Sequence, residues 1–375
     1  MANVMGIIYT GEQNPNLREL ASERAVAALP VAGRYRIIDF IVSCLVNAGV
    51  KNVGVITQKN YHSLMDHLGS GKEWDLHGKN EGLLILPPFL SRENTGLYSG
   101  MLEALSSNTG YLRRSKQEYV ILSNSHYLCN VDFSEMIDAH VTRDADLSML
   151  YAYQPQLSPG RREDYAYLNL DDDERVTGIE INPTIPSYPN ELLEVYLLRR
   201  ELLRYLVDQA NANGLHHFRR NVIQRLVNEG GLKIYGHAYK GPYWRIDSVQ
   251  TYYQMNMALL DKDARSAVFT PERPVFTKVR DDMAAYYGPD ARVVNSLVAD
   301  GSRIDGTVEN SVLFRGVRVE KGAVIRNCIV MQDAHIEAGA TVDYCILDKQ
   351  TVIRADGKLV GHSSYPIVIA KNVII

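Results

Sequence analysis

Cysteine is scarce in this chain: Cys44, Cys129, Cys328 and Cys345 stand far apart among 375 residues, with no C-x-x-C pair. A disulfide-stapled scaffold and a zinc ribbon are thereby excluded, and the thiols read as reduced side chains. Hydrophobic runs long enough to span a bilayer are lacking, so no membrane association is expected. The N-terminus, Met1-Ala-Asn-Val-Met-Gly, has neither a basic stretch nor a cleavage site, which makes the cytoplasm the expected compartment. Positive charge is not in excess either. Forty Lys and Arg stand against 44 Asp and Glu, a formal net charge of −4, without the basic footprint of general nucleic-acid binding.

What is present is the material of a folded protein: 46% hydrophobic and 22% charged residues, in a length that accommodates two domains. Up to Leu260, strand-like and helix-like patterns alternate. Val4–Tyr9 is a short β-rich run. In Arg36–Ala48 apolar residues fall at helical spacing, and Gly49 supplies a stop. Asn52–Thr57, Tyr119–Leu122 and Leu147–Tyr153 are apolar runs of buried-strand length. Such alternation predicts a mostly parallel, Rossmann-like α/β sheet with helices on both faces. Ligands of these sheets sit beyond the carboxyl ends of the strands, here Thr10–Arg24, Gln58–His62 and Ser123–His126.

Around Asp261–Pro289 periodicity fades and prolines accumulate, as in a connector. Beyond it the chain repeats itself. Asn295-Ser-Leu-Val, Asn310-Ser-Val-Leu, Asn327-Cys-Ile-Val and Tyr344-Cys-Ile-Leu recur at spacings of 15, 17 and 17 residues. Each unit carries a second apolar anchor near a glycine: Ile304/Gly306, Val319/Gly322, Ile336/Gly339 and Ile353/Gly357. Short apolar beats, three to a turn, predict a parallel β-helix. Cys328 and Cys345 fall in one slot of adjacent coils, as stacked small side chains. The expected domains are residues 1–265 (α/β), a linker over 266–289, and the β-helix over 290–375, a candidate oligomer interface.

Two segments carry a recognisable signature, Arg24–Phe40 (RAVAALPVAGRYRIIDF) and Gln58–Leu76 (QKNYHSLMDHLGSGKEWDL). Both resemble the ADP-glucose pyrophosphorylases, which make ADP-glucose for glycogen and starch from ATP and glucose 1-phosphate. The resemblance spans essentially the whole chain. It implies a nucleotidyltransferase domain followed by a left-handed β-helix, with ATP and Mg²⁺ as the family's requirements. Adenylyl transfer needs backbone N–H groups and cations around the triphosphate, and carboxylates for the metal.

Measured against that requirement, the family's positions are altered one after another. The pattern A-G-G-x-G-T-R-L becomes Thr10-Gly11-Glu12-Gln13-Asn14-Pro15-Asn16-Leu17. Gly11 is kept, Glu12 brings negative charge, Pro15 lacks an N–H, and Asn16 replaces the arginine. In the R-A-K-P-A block Arg24 is kept, but Val26 stands for lysine. Asn124-Ser125-His126 replaces G-D-H, so Ser125 stands for a metal aspartate. Tyr243-Trp244-Arg245-Ile246-Asp247 places Ile246 where the second aspartate belongs and moves the carboxylate to Asp247. Asn182 stands for the lysine of F-x-E-K-P, Glu194 for the glycine of S-M-G-I-Y, and G-T-A keeps only Gly96.

Within the family the chain looks closest to the GlgD-type, non-catalytic subunits. The resemblance then implies no catalytic residue and no metal or cofactor of its own. It implies a catalytic ADP-glucose pyrophosphorylase subunit as partner, in a hetero-oligomer or alongside a homo-oligomer. Residual ligand contacts would come from Gly11, Arg24, Gly96 and Asp247. The competing expectation is an active nucleotidyltransferase with a relocated metal site that uses Asp247.

Overall fold

The computed structural model describes residues 3–11, 14–79, 81–88, 98–155 and 164–375. The chain forms two compact units. The first comprises Met1–Glu12, Ile41–Tyr61 and Leu68–Gly241, and the second Gln13–Phe40, His62–His67 and Pro242–Ile375.

The first unit is built on a nine-stranded sheet. Its strands are β1 (Val4–Tyr9), β2 (Val53–Ile56), β3 (Leu83–Leu86), β4 (Tyr119–Asn124), β5 (Leu147–Tyr153), β6 (Ala166–Leu170), β7 (Val176–Ile181), β8 (Asn190–Arg199) and β9 (Ile234–Tyr239). The order is β7-β6-β8-β4-β1-β2-β3, with β5 paired to β8 and β9. Strands β4, β1, β2 and β3 run parallel, as the apolar runs predict. Every residue of β1, β2 and β4 is buried, which is why these strands read as continuous rather than alternating. The other half is mixed, because β8 runs antiparallel to both β4 and β5. Its register on β5 breaks between Leu192 and Tyr196, a bulge with consequences below.

One histidine of this unit is buried with a strongly shifted pKa. His140, on the helix Phe133–Thr142, has Nδ1 2.8 Å from the Ser148 hydroxyl and its ring edge-on to Tyr119. Its Nε2 has no hydrogen-bond partner among the described residues. Burial, with Arg199 adding to it, lowers its pKa to about 4.

In the second unit, three sheets of five short strands stack in a left-handed β-helix, every neighbouring pair parallel. The repeat anchors Ile304, Val319, Ile336 and Ile353 fall in one column of one sheet, each at most 1% exposed. Full burial of such a side chain contributes about 1.5–3 kcal/mol. The first strand, Tyr286–Tyr287, lies inside the segment read as a linker, so the coils begin earlier than the repeat alone shows. Cys328 and Cys345 are buried free thiols bonded to the carbonyls of Arg326 and Asp343. The helix Val249–Ala258 starts at Ser248, whose side chain forms a reciprocal cap with Thr251. Among the described residues no helix is long and apolar enough to cross a membrane.

The repeat has a backbone cause. Asn295, Asn310, Asn327 and Tyr344 open successive corners with φ of 44°, 44°, 50° and 50°. Asparagine tolerates this left-handed region, whereas a tyrosine is strained there. Asn295 also donates to Asn310 Oδ1 at 2.8 Å, one corner to the next. Tyr344→Asn is therefore expected to stabilise the protein by about 0.5–1 kcal/mol, read as a higher midpoint in chemical denaturation. His140 predicts a pH dependence of the opposite sense. Its folded pKa lies below the unfolded value, so stability is lost as pH falls from about 6.5 toward 4, by about 2 kcal/mol at pH 5. Denaturation curves of the wild type and His140→Gln across this range should converge at low pH if the assignment holds.

Candidate functional site

Beyond the carboxyl ends of the parallel strands, the first unit brings two of the expected residues together. Tyr9 pairs with Asn124, so Gly11 and Ser125 follow the ends of neighbouring strands. Gly11 keeps its family identity for a packing reason: a Cβ there would stand 2.7 Å from both the Gln58 side chain and the Tyr9 ring. Gln58 Nε2 donates to Tyr9 Oη at 3.0 Å and to the Tyr98 carbonyl at 3.1 Å. Ser125 and His126 are both buried, the imidazole lying 4.7 Å from the Tyr127 ring. Asn182 follows β7, on the far side of β8 and β6 from β4, with φ 54° and its N–H on the Tyr165 carbonyl. Glu12 and Gly96 lie outside the described residues.

Glu194 is the residue whose role the sequence shows only as a lost glycine. It sits in the bulge of β8 at φ 56° and is 3% exposed. Its carboxylate accepts from Asn124 Nδ2 and pairs with the Arg219 guanidinium. A carboxylate therefore stands on Asn124, the residue before Ser125, but it is engaged by a cation.

The remaining expected positions belong to the second unit. Asn16 is exposed, its N–H donated to Asn14 Oδ1, while the Leu17 N–H goes to the Asn14 carbonyl. These amides are thus turned inward on the chain instead of toward a phosphate. Val26 is 4% exposed in the short 3₁₀ turn Val26–Ala28. Arg24 forms a buried ion pair with Asp348 and donates to Met331 Sδ. Ile246 is 1% exposed. Asp247 accepts from the Thr251 hydroxyl at 3.1 Å, with Arg245 Nε 3.8 Å from its other oxygen.

Mg²⁺, which the family implies, needs oxygen donors with charge to offer. In the first unit Ser125 is neutral and Glu194 is paired; in the second, Asp247 is tied to Thr251 and Arg245. The donor set does not fit that ion, and no group of three or more His, Cys, Asp or Glu able to hold a metal occurs among the described residues.

Another site lies wholly within the second unit. A small cavity of about 50 Å³ is lined by Arg34, Arg36, Lys278, Arg280, Arg315 and Lys349, together with His67 and Gln332. These cations repel one another. Lys349 is pushed down to about 8 by burial and by Arg36, Arg24 and Arg280. Burial lowers Arg36 to about 10, and burial with Arg34 and Arg280 lowers Arg315. The acids nearby are partly engaged: Asp39 bonds His67 at 2.5 Å and Asp282 stands 3.7 Å from Arg315. Lys278 lies 3.5 Å from Asp66, and the excess of positive charge that remains in a concave, partly desolvated place suits polyanion recognition. Sequence reading misses this site because its cations come from separate segments; only the Arg34-Tyr-Arg36 and Lys278-Val-Arg280 alternations hint at it.

Comparison with known proteins agrees with this architecture. The nucleotidyl transferase family profile matches residues 5–262, and the GlmU-like C-terminal hexapeptide profile matches residues 283–365. The chain is 35% identical to the glycogen biosynthesis protein GlgD of Bacillus subtilis, over 99% of this chain and 96% of that protein. It is 31% identical to the glucose-1-phosphate adenylyltransferase of Thermotoga neapolitana, over 87% of this chain and 77% of the relative. The corresponding Clostridium botulinum enzyme is also 31% identical, over 86% and 83%. With both domains matched and relatives aligned along most of its length, the chain belongs to the nucleotidyl transferase family, in the branch of the ADP-glucose pyrophosphorylases and their GlgD-type relatives.

Proposed function

We propose that this chain is a non-catalytic regulatory subunit of glucose-1-phosphate adenylyltransferase in glycogen biosynthesis, acting on a catalytic partner subunit in a cytoplasmic hetero-oligomer. The observation that carries the reading is the loss of charge at the family's positions in each of the two units. Ser125 and Ile246 stand where carboxylates would hold a metal, Val26 and Asn182 where lysines would meet phosphate. The acid that has appeared, Glu194, is paired with Arg219. Losses of this kind compound, since each missing charge removes transition-state stabilisation that the others cannot supply. The apolar framework needed for folding is meanwhile intact, as expected of a chain kept for what it binds rather than what it converts.

The cationic cavity supports the regulatory half of the reading. A small polyanion bound there would bias the second unit's conformation, and a subunit that favours one state of its partner changes the partner's output. The reading with a relocated metal site is disfavoured, because Asp247 is held by Thr251 and Arg245.

Two outcomes are expected. The purified chain given ATP, glucose 1-phosphate and Mg²⁺ should release no pyrophosphate, yet co-elute with a catalytic subunit and alter its kcat or effector response. Turnover by the chain alone, abolished in Asp247→Asn, would establish the competing reading. Separately, inorganic pyrophosphate should raise the melting temperature at pH 7. The gain should shrink as pH rises through about 8, where Lys349 loses its proton, and Lys349→Gln should weaken binding by about tenfold. Unchanged binding in that variant would place the anion elsewhere.

A further inference from the structure

The Glu194–Arg219 pair is harder to explain as simple decay. Glu194 occupies a left-handed backbone position, φ 56°, that suits glycine and strains any residue with a Cβ. Its side chain is 3% exposed, and a buried carboxylate is tolerated only when compensated. Compensation comes from Asn124 Nδ2, at the carboxyl end of β4, and from Arg219. Arg219 lies in the π-helical turn Phe218–Ile223, is mostly buried, and also donates to the Asp164 carboxylate at 3.1 Å. A planar guanidinium is suited to a phosphate or carboxylate, and the carboxylate it holds here bonds Asn124, the last residue of β4, at the kind of strand end where open α/β sheets take ligands.

We propose that Arg219 is the anchor of a latent site for a phosphate monoester, and that Glu194 is the tethered anion that occupies it in this chain. The inference rests on the reading of the first unit as a retired catalytic fold. It adds that the site is closed by an internal occupant, in addition to having lost its catalytic charges. Glu194→Gly removes the carboxylate and installs the residue that the backbone angle favours, releasing the part of the Arg219 guanidinium that Glu194 engages while Asp164 keeps its hold on the rest.

The test is calorimetric titration of glucose 1-phosphate, and separately of inorganic phosphate, into the full-length wild type, Glu194→Gly, Glu194→Gln and Glu194→Gly/Arg219→Gln. Cooperative thermal unfolding establishes that each variant is folded; if Glu194→Gly is not, Glu194→Gln, which keeps the size and loses the charge, carries the test. The single variants should bind at least one probe about tenfold or more tighter than wild type, and the double variant should lose that gain. Tighter binding of glucose 1-phosphate than of phosphate would support the site and add a sugar contact. The proposal is overturned if a folded Glu194 variant binds neither probe better than wild type, or if the gain survives Arg219→Gln. Such a failure leaves the regulatory reading standing, since that reading is measured in the partner's kinetics with the wild-type chain.

Discussion

The buried ion pair between Arg24 and Asp348 is the contact on which the second unit's chemistry depends. It joins residues more than three hundred positions apart in sequence, and both side chains are withdrawn from water. Two charges buried in this way are not a simple source of stability, because desolvation offsets much of their attraction. What the pair fixes is position. Removing either partner would leave a lone buried charge, at a cost of about 3–5 kcal/mol, so the segment Gln13–Phe40 has one place on the coils. Tyr252 Oη on the Pro30 carbonyl and Asn256 on the Ala32 N–H hold the following hairpin. That hairpin carries Arg34 and Arg36 to the cavity that Arg315 and Lys349 line from the coils.

Arg24 also shows how one retained residue can mislead. As a survivor of a phosphate-contacting block it looks like a residual ligand contact, yet its guanidinium is committed to Asp348 and Met331. Arg36, a few residues later in the same signature, faces the cavity instead. A single sequence shows which residues persist, not which of them have partners.

The parts of the fold legible in the sequence are those set by local backbone rules. The coil repeat is legible because each corner demands a left-handed residue, so asparagine recurs with the period of the turn. The parallel half of the sheet is legible because strands buried on both faces leave continuous apolar runs. The antiparallel half was not, since Asn190–Arg199 reads equally as an inner strand of either sense; its direction is settled by pairing with β4 and β5. The cationic cavity was illegible for a related reason: it is assembled from residues that share space and no sequence neighbourhood.

The strand-end site lies between these cases. Substitution of its charged residues can be read position by position, and the glycine replaced by Glu194 can be seen to be missing. What cannot be read is that the backbone stays in the glycine conformation after the glycine has gone. The bulge is imposed by β8 meeting β5 on either side of a register break, so the angle belongs to the sheet and not to the residue. A larger side chain placed on that fixed angle had to go somewhere, and it went into the space at the end of β4. Once there, a carboxylate required a cation, and Arg219 supplies it. By holding that one backbone angle, the sheet directs the Glu194 side chain toward the end of β4, where Asn124 and Arg219 receive it.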